Sequence, residues 1–334
     1  MCLVAFSRTE RYSALEKLER SKQQGHRPTW AYMVICDDCS HGCAWCYGGF
    51  DGSHQHRMHL HEFVSIIDKL AAAGITQLTL AGGEPTEHPQ FPEFLRAASK
   101  RGLLIHVASH GEHIGPDLAA LMGDYGVRQV QLNWQGSVHH DHVHRAPGSF
   151  KKATQAIPLM LAAGIEVTAN VTVGRYNMPD LKDIFTEASN LGVTRLRVWE
   201  STGRGNPHRR GLDARKIFES AQKIARDLGY THTLSYDPDF GGDITVPCLQ
   251  FANLYLYITS YGKLEFCGAV EERLHYVDCL DPGLDGDSII EQYLTLNRTI
   301  LGDNDPYCPA REGFRPGTQL PPIPGASDNL IARG

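Results

Sequence analysis

Several things are missing from this chain of 334 residues. No apolar run approaches the roughly 18 residues a spanning helix needs, which argues against a transmembrane segment. The apolar start, Met1 to Ser7, is too short for a secretory signal and a charged segment follows it. There is no basic excess: 32 Lys and Arg stand against 38 Asp and Glu, a net charge of −6. Nucleic acid and an anionic membrane surface are therefore not the expected partners. No internal repeat or low-complexity block is present. With 42% hydrophobic and 21% charged residues, the composition is that of a globular protein with one large domain, or one large and one small. Without a secretion signal, the nine cysteines read as ligand or reactive thiols of a reducing cytoplasm rather than a disulfide frame.

What is present is concentrated in one loop. Cys39, Cys43 and Cys46 are spaced C-x3-C-x2-C directly after the apolar run Trp30–Ile35, which reads as a buried first strand. Thiolates select zinc, cuprous copper or iron–sulfur clusters. Three of them leave one iron of a 4Fe–4S cube without a protein ligand. The zinc alternative pairs Cys36 with Cys39 and Cys43 with Cys46, but only three residues separate the pairs, where zinc sites usually place a dozen or more. His54, His56, His59 and His61 follow in a polar loop and at the start of a helix, Leu60–Ala73, a setting that favours solvated histidines over a metal site. The strand Gln77–Leu80 then runs into Gly82-Gly83-Glu84-Pro85, where two glycines permit close backbone approach.

C-x3-C-x2-C followed one βα unit later by GGEP resembles the radical S-adenosylmethionine (SAM) superfamily, with Trp45 at its hydrophobic position before the third cysteine. The resemblance implies that Cys39, Cys43 and Cys46 hold a 4Fe–4S cluster whose free iron is chelated by SAM. It implies that Gly82, Gly83, Glu84 and Pro85 hold the SAM amino group. Strands Leu103–Ala108, Val127–Leu132, Ile165–Val173 and Thr194–Trp199 continue the alternation, so the expected fold is an α/β partial (β/α)6 TIM-like barrel over residues 30–230. Ser109-His110-Gly111 and Asn133-Trp134-Gln135-Gly136 match family strand ends with His110, Asn133 and Gln135 as departures. Asp141 to Phe150 resembles H-D-x-x-R-x-x-G-S-F, which makes Arg145 a partner for the SAM carboxylate or for a fixed acid, and a catalytic candidate. Ser109, Asn133 and Asn170 are further SAM contacts by the same resemblance. Glu200 and Arg204 line the rim, Glu200 as a catalytic candidate. Asn177 reads as a turn or cap residue.

Residues 1–29 are expected to form a helical extension, with a helix over Tyr12–Gln24, and residues 313–334 a Pro- and Gly-rich tail. Residues 231–312 carry Cys248-x13-Gly262-x4-Cys267 around a hairpin, Leu254–Ile258 and Lys263–Phe266. This resembles SPASM and Twitch extensions. Cys279 and Cys308 complete a set of four, which implies one auxiliary 4Fe–4S cluster, Twitch-like. Cys279 is widely spaced, and is either a ligand of that cluster or a thiol hydrogen donor to a substrate radical. The implied activity is reductive cleavage of SAM to a 5′-deoxyadenosyl radical, fed by a one-electron donor such as flavodoxin or ferredoxin. The expected substrate is a small molecule with a carbinol C–H, a sugar, aminocyclitol or nucleoside-like metabolite, which is oxidised or epimerised. A peptide-modifying maturase comes second, because the segment before the first strand is short for a leader-recognition domain. A non-catalytic metal-binding scaffold is third.

Overall fold

A computed structural model of the chain describes residues 27–46, 48–50, 55–200, 214–230, 234–236, 255–265 and 276–301. The expected helix over residues 12–24, the basic loop with Arg204, and Cys248, Cys267 and Cys308 lie outside the described residues.

Strand periodicity builds the sheet. In β5 (Glu166–Val173), Val167, Ala169, Val171 and Val173 are fully buried on one face, while Thr168, Asn170 and Thr172 take the other. The same alternation runs through β1 (Trp30–Val34), β2 (Gln77–Ala81), β3 (Leu104–Ser109), β4 (Val127–Asn133) and β6 (Arg195–Glu200). The apolar face is covered by α1 (Leu60–Ala72), α2 (Phe91–Lys100), α3 (Pro116–Asp124), α5 (Ser149–Ala162), α6 (Leu181–Asn190) and α7 (Ala214–Asp227). In α1, Phe63, Ile66, Ile67 and Leu70 form one buried stripe at i, i+3, i+4 and i+7. His59 starts this helix, and its backbone N–H donates to Glu62 Oε2 at 2.8 Å. Each of these helices lies one to four residues from its expected bounds or in the gap between expected strands.

The strands run in the order β10-β9-β8-β1-β2-β3-β4-β5-β6-β7, with β7 Leu234–Tyr236, β8 Tyr255–Ile258, β9 Lys263–Glu265 and β10 Tyr276–Asp278. β1 to β7 pair in parallel and the two ends of the sheet do not meet, so this is a partial barrel, open at one side. The ten described strands are the six expected of the barrel, the two of the expected hairpin, β8 and β9, and the unexpected β7 and β10; β8 pairs in parallel with β1, Met33 opposite Ile258. β9 and β10 then continue antiparallel. α8 (Gly286–Leu301) packs back on α1, where Lys69 Nζ donates to the carbonyls of Cys279 at 3.1 Å and Asp281 at 2.7 Å.

The lumen face is polar and aromatic where a closed barrel would carry branched aliphatics. Tyr32 stacks on Tyr257 at 5.7 Å, Trp30 Nε1 donates to Thr79 Oγ1 at 3.0 Å, and Gln129, Gln131, Thr168 and Asn170 follow. No described helix is long and apolar enough to cross a membrane.

Candidate active site

The cysteine loop leaves the C-terminal end of β1, the end of a parallel barrel that carries chemistry. Its path is held by backbone bonds to elements far away in sequence. Gly42 N–H donates to His144 O at 3.1 Å and Ala44 N–H to Val143 O at 2.9 Å, both in the last turn of α4 (Gly136–His144). Ser40 N–H donates to Glu87 Oε1 at 3.1 Å. Asp37 Oδ1 accepts from Ser260 Oγ at 2.7 Å, which ties the loop to the β8–β9 turn.

The three thiols converge. Burial pushes the Cys39 thiol up to about 12, and the charge of Cys46 adds to the rise. Cys43 is raised by burial and then by Cys39 and Cys46. Buried thiols that would repel one another as thiolates are an unfavourable arrangement that a bound cation relieves, since metal binding deprotonates its ligands. The donor set fits a cluster that needs three thiolates. Cys36 stands apart: it is fully buried, and its Sγ donates to Glu84 O at 3.3 Å. It pins the glycine turn and does not join the other three.

Gly82 and Gly83 are the seam between that turn and the cysteine loop. A Cβ on Gly83 would lie 2.1 Å from Asp38 O, and one on Gly82 would lie 2.6 Å from Cys36 O. Gly83 N–H donates to Cys36 O at 2.8 Å and Glu84 N–H to Asp38 O at 2.7 Å. Pro85 opens a short 3-10 turn, Pro85–Glu87. Glu84 is 1% exposed and its carboxylate is already fully engaged. Oε1 accepts from Thr86 N at 3.1 Å, Thr86 Oγ1 at 2.6 Å and Ser109 Oγ at 2.8 Å, and Oε2 accepts from His110 N at 2.8 Å. Glu84 and Ser109 therefore lock the turn to the end of β3.

The other expected cofactor contacts divide. Asn170 sits beside Asn133 in register on the lumen face, and its buried Oδ1 has no partner. Among the expected SAM contacts it is the one with open hydrogen-bonding capacity of this kind. Asn133 Oδ1 instead accepts from Gln135 Nε2 at 3.1 Å. Gln135 Oε1 accepts from Asn177 Nδ2 at 3.0 Å, and Asn177 Oδ1 accepts from Gly174 N at 2.8 Å, the turn role expected of it. Trp45 is buried, stacked on Tyr176 with ring centroids 6.0 Å apart and edge-on to His144 at 5.5 Å.

Arg145 is exposed and lies along the cysteine loop, its Cδ 3.5 Å from where a Gly42 Cβ would stand. It is the one non-glycine described residue with positive φ, 52°. Asp141 of the same segment caps α5, its carboxylate accepting from Gly148 N at 2.6 Å and Phe150 N at 2.7 Å. Glu200 ends β6, and its side chain lies outside the described residues. Cys279 is fully buried in the turn after β10, where its backbone carbonyl accepts from Lys69 Nζ of α1 at 3.1 Å. Burial pushes its thiol up to about 12.

The sequence did not single out a group of buried histidines behind the cysteine loop. His41 stacks on His110 with centroids 3.7 Å apart and faces His144 at 5.2 Å, and His144 faces His140 at 4.0 Å. His41 Nε2 pairs with Glu112 Oε2 at 2.7 Å, and Lys152 pairs with the other oxygen of Glu112. Against burial, these two partners hold the Glu112 carboxyl down at about 2. Burial holds His140 down at about 3 and His144 well below the usual imidazole range. Their spread over residues 41–144 hid them: no local spacing brings them together.

Comparison with known proteins agrees with this geometry. The Radical SAM superfamily matches residues 33–188. The PqqA peptide cyclase of Ruegeria pomeroyi is 28% identical over 253 residues, 71% of this chain and 67% of that protein. The AdoMet-dependent heme synthase of Methanosarcina barkeri is 27% identical over 173 residues, half of each chain. In fold, the chain is similar to Streptococcus suis SuiB, solved bound to its precursor peptide SuiA, with a TM-score of 0.66 at 10% identity over 85% of this chain and 71% of that one. Residues 33–188, which carry the cysteine loop after β1 and the glycine turn after β2, are the stretch that matches the Radical SAM superfamily.

Proposed function

We propose that this protein is a radical SAM enzyme that modifies a peptide. The observation that carries the reading is the similarity to a peptide cyclase over 71% of the chain. This reverses the order in which the sequence placed the two substrate classes, and the carbinol metabolite becomes the second reading. The open side of the barrel and its polar lumen suit a substrate that enters as an extended segment.

When bound, the cluster and SAM supply a carbon-centred radical able to take hydrogen from an unactivated carbon. The chain supplies placement. Cys39, Cys43 and Cys46 hold the cluster at the mouth of β1; the backbone of the Gly82–Gly83 turn and Asn170 Oδ1 face the SAM position; Arg145 offers a cation beside the loop. The polar lumen face, with Tyr32, Thr79 and Gln131, orients what lies below. Cys279, fully buried in the turn after β10 beside α1, is better suited as an auxiliary-cluster ligand than as a hydrogen donor, so an oxidative outcome such as a cross-link is favoured over epimerisation. With Cys248, Cys267 and Cys308 as companions, one auxiliary cluster brings the chain to about eight irons. A flavodoxin or ferredoxin is the proposed electron source.

The test is anaerobic turnover of the reconstituted protein with SAM, a reductant and the short peptides encoded beside its gene. The expected result is 5′-deoxyadenosine formed in proportion to a peptide that has lost two hydrogens. Stimulation of SAM cleavage by a carbinol metabolite and by none of the peptides would return the metabolite reading.

A further inference from the structure

Buried imidazoles with unpaired nitrogens are costly, at roughly 1–3 kcal/mol for each unsatisfied group. Behind the cysteine loop, His41 Nδ1, His140 Nε2 and both nitrogens of His144 have no hydrogen-bond partner among the described residues. His41, His110, His140 and His144 are each at most 5% exposed. Three sets of side chains in the neighbourhood bring potential ligand atoms within 4.8 Å of one another: His41, Cys43 and His144; His41, His110 and Glu112; and Glu87, His110 and His113.

Proton placement decides among them. Glu112 N–H donates to His110 Nδ1 at 3.1 Å, so that nitrogen is the acceptor and the ring proton sits on Nε2. Nε2 accordingly faces two carboxylates, Glu84 at 3.4 Å and Glu87 at 3.5 Å. His110 presents no free lone pair, which removes the second and third sets. The opposite holds for His41. Its Nε2 proton is taken by Glu112, which leaves the Nδ1 lone pair bare and buried. This is the carboxylate–histidine arrangement that orients metal-bound imidazoles. His144 has one lone pair to give from a ring with no hydrogen-bond partner among the described residues, and Cys43 supplies the thiol.

We propose that His41, Cys43 and His144 form a mononuclear site for a divalent borderline cation such as Zn²⁺, mutually exclusive with the three-cysteine cluster because both require the Cys43 sulfur. One Cys and two His with water as a fourth ligand is an ordinary tetrahedral zinc set, whose ligand atoms stand roughly 3.3–3.8 Å apart. From within 4.8 Å, they close on the ion by about 1 Å. Binding releases one proton, that of the Cys43 thiol, and changes no oxidation state. The site is open only before cluster assembly or after cluster loss, and its occupant blocks reassembly.

Two measurements on the full chain, prepared without iron or sulfide, test this. In the Cys39→Ala/Cys46→Ala variant, Co²⁺ should bind one equivalent with a thiolate-to-cobalt charge-transfer band. That band should vanish on adding Cys43→Ala. His144→Leu or His41→Leu should weaken it at least about tenfold. A band that survives Cys43→Ala, or that neither histidine variant changes, overturns the site. In the second measurement, one equivalent of Zn²⁺ is added before iron and sulfide. The expected result is a several-fold loss of main-cluster content in the wild-type chain and no loss in His144→Leu. Equal cluster content with and without zinc in the wild type overturns the exclusivity. Should His144→Leu fail to take up a cluster even without zinc, His41→Leu replaces it with the same expectation.

Discussion

Cys36 and Cys43 are seven residues apart, but their surroundings assign them different work. Cys36 donates from full burial to Glu84 O. Its replacement by Ala should cost about 1 kcal/mol of stability and leave cluster uptake intact. Cys39→Ala, Cys43→Ala or Cys46→Ala should abolish uptake, as read from iron content and the visible absorbance of the reconstituted protein. Gly83→Ala should behave like a lost ligand for a steric reason, since the added carbon would meet Asp38 O at 2.1 Å and push the glycine turn off the cysteine loop. Loss of cluster in a variant that keeps all its cysteines is the result to look for. Arg145 offers a third case. It holds a left-handed backbone at φ 52°, which costs an L-residue roughly 1–2 kcal/mol. Arg145→Gly should therefore raise the unfolding midpoint while weakening SAM binding. An unchanged SAM affinity by calorimetry would remove the arginine from the cofactor site.

Among the elements, the β8–β9 hairpin matters more than its length suggests. It adds to the barrel through β1 and places Ser260 on Asp37 of the cysteine loop. His56 stacks on Tyr261 from the same turn at 3.8 Å. The hairpin thus braces the main cluster site. Ser260→Ala should cost about 1 kcal/mol, or more with Asp37 left unpaired, and should speed loss of the main cluster to a chelator. A rate equal to wild type would mean that the brace carries nothing. The strands and helices themselves were legible in the chain. The continuous apolar run Trp30–Ile35 located β1, the alternation of strand and helix patterns located β2 to β6, and the amphipathic pattern located α1. The short helix α4 was not legible, because Gly136 to His144 is mostly histidine and glycine with no apolar period. It forms because its last carbonyls, at Val143 and His144, have the cysteine loop to accept from.

Taken as a whole, the molecule should be sensitive to acid in the cluster-free state. His41, His140 and His144 have folded pKa values below the usual 6.5, all through burial first. A depressed folded pKa gives stability that is fully present above the unfolded value and is lost as pH falls towards the folded one. The window therefore opens at about 6.5 and, for His140, extends down to about 3. Each group contributes a slope of up to about 1.4 kcal/mol per pH unit within it. Glu112, held down at about 2 against an ordinary 4.5, adds a further loss in the same direction between about 4.5 and 2. The unfolding midpoint of the apo chain should fall steeply from pH 7 to 5. His140→Phe, which removes one of the titrating rings, should make that fall shallower. A midpoint independent of pH over that interval would contradict the buried, neutral state of these rings.

Residue type and spacing along the chain determined the cluster loop, the glycine turn and the alternation of strands and helices, because each of these is local: three thiolates within eight residues, a turn of four, periods of 2 and 3.6. Tertiary structure alone decided what depends on strands closing side by side. It spent the carboxylate of Glu84 on the end of β3, buried Cys279 beside α1 and joined the C-terminal hairpin to β1. It also gathered His41, His110, His140 and His144 into one buried group, since residues a hundred positions apart meet only when a parallel sheet brings its strand ends to the same rim.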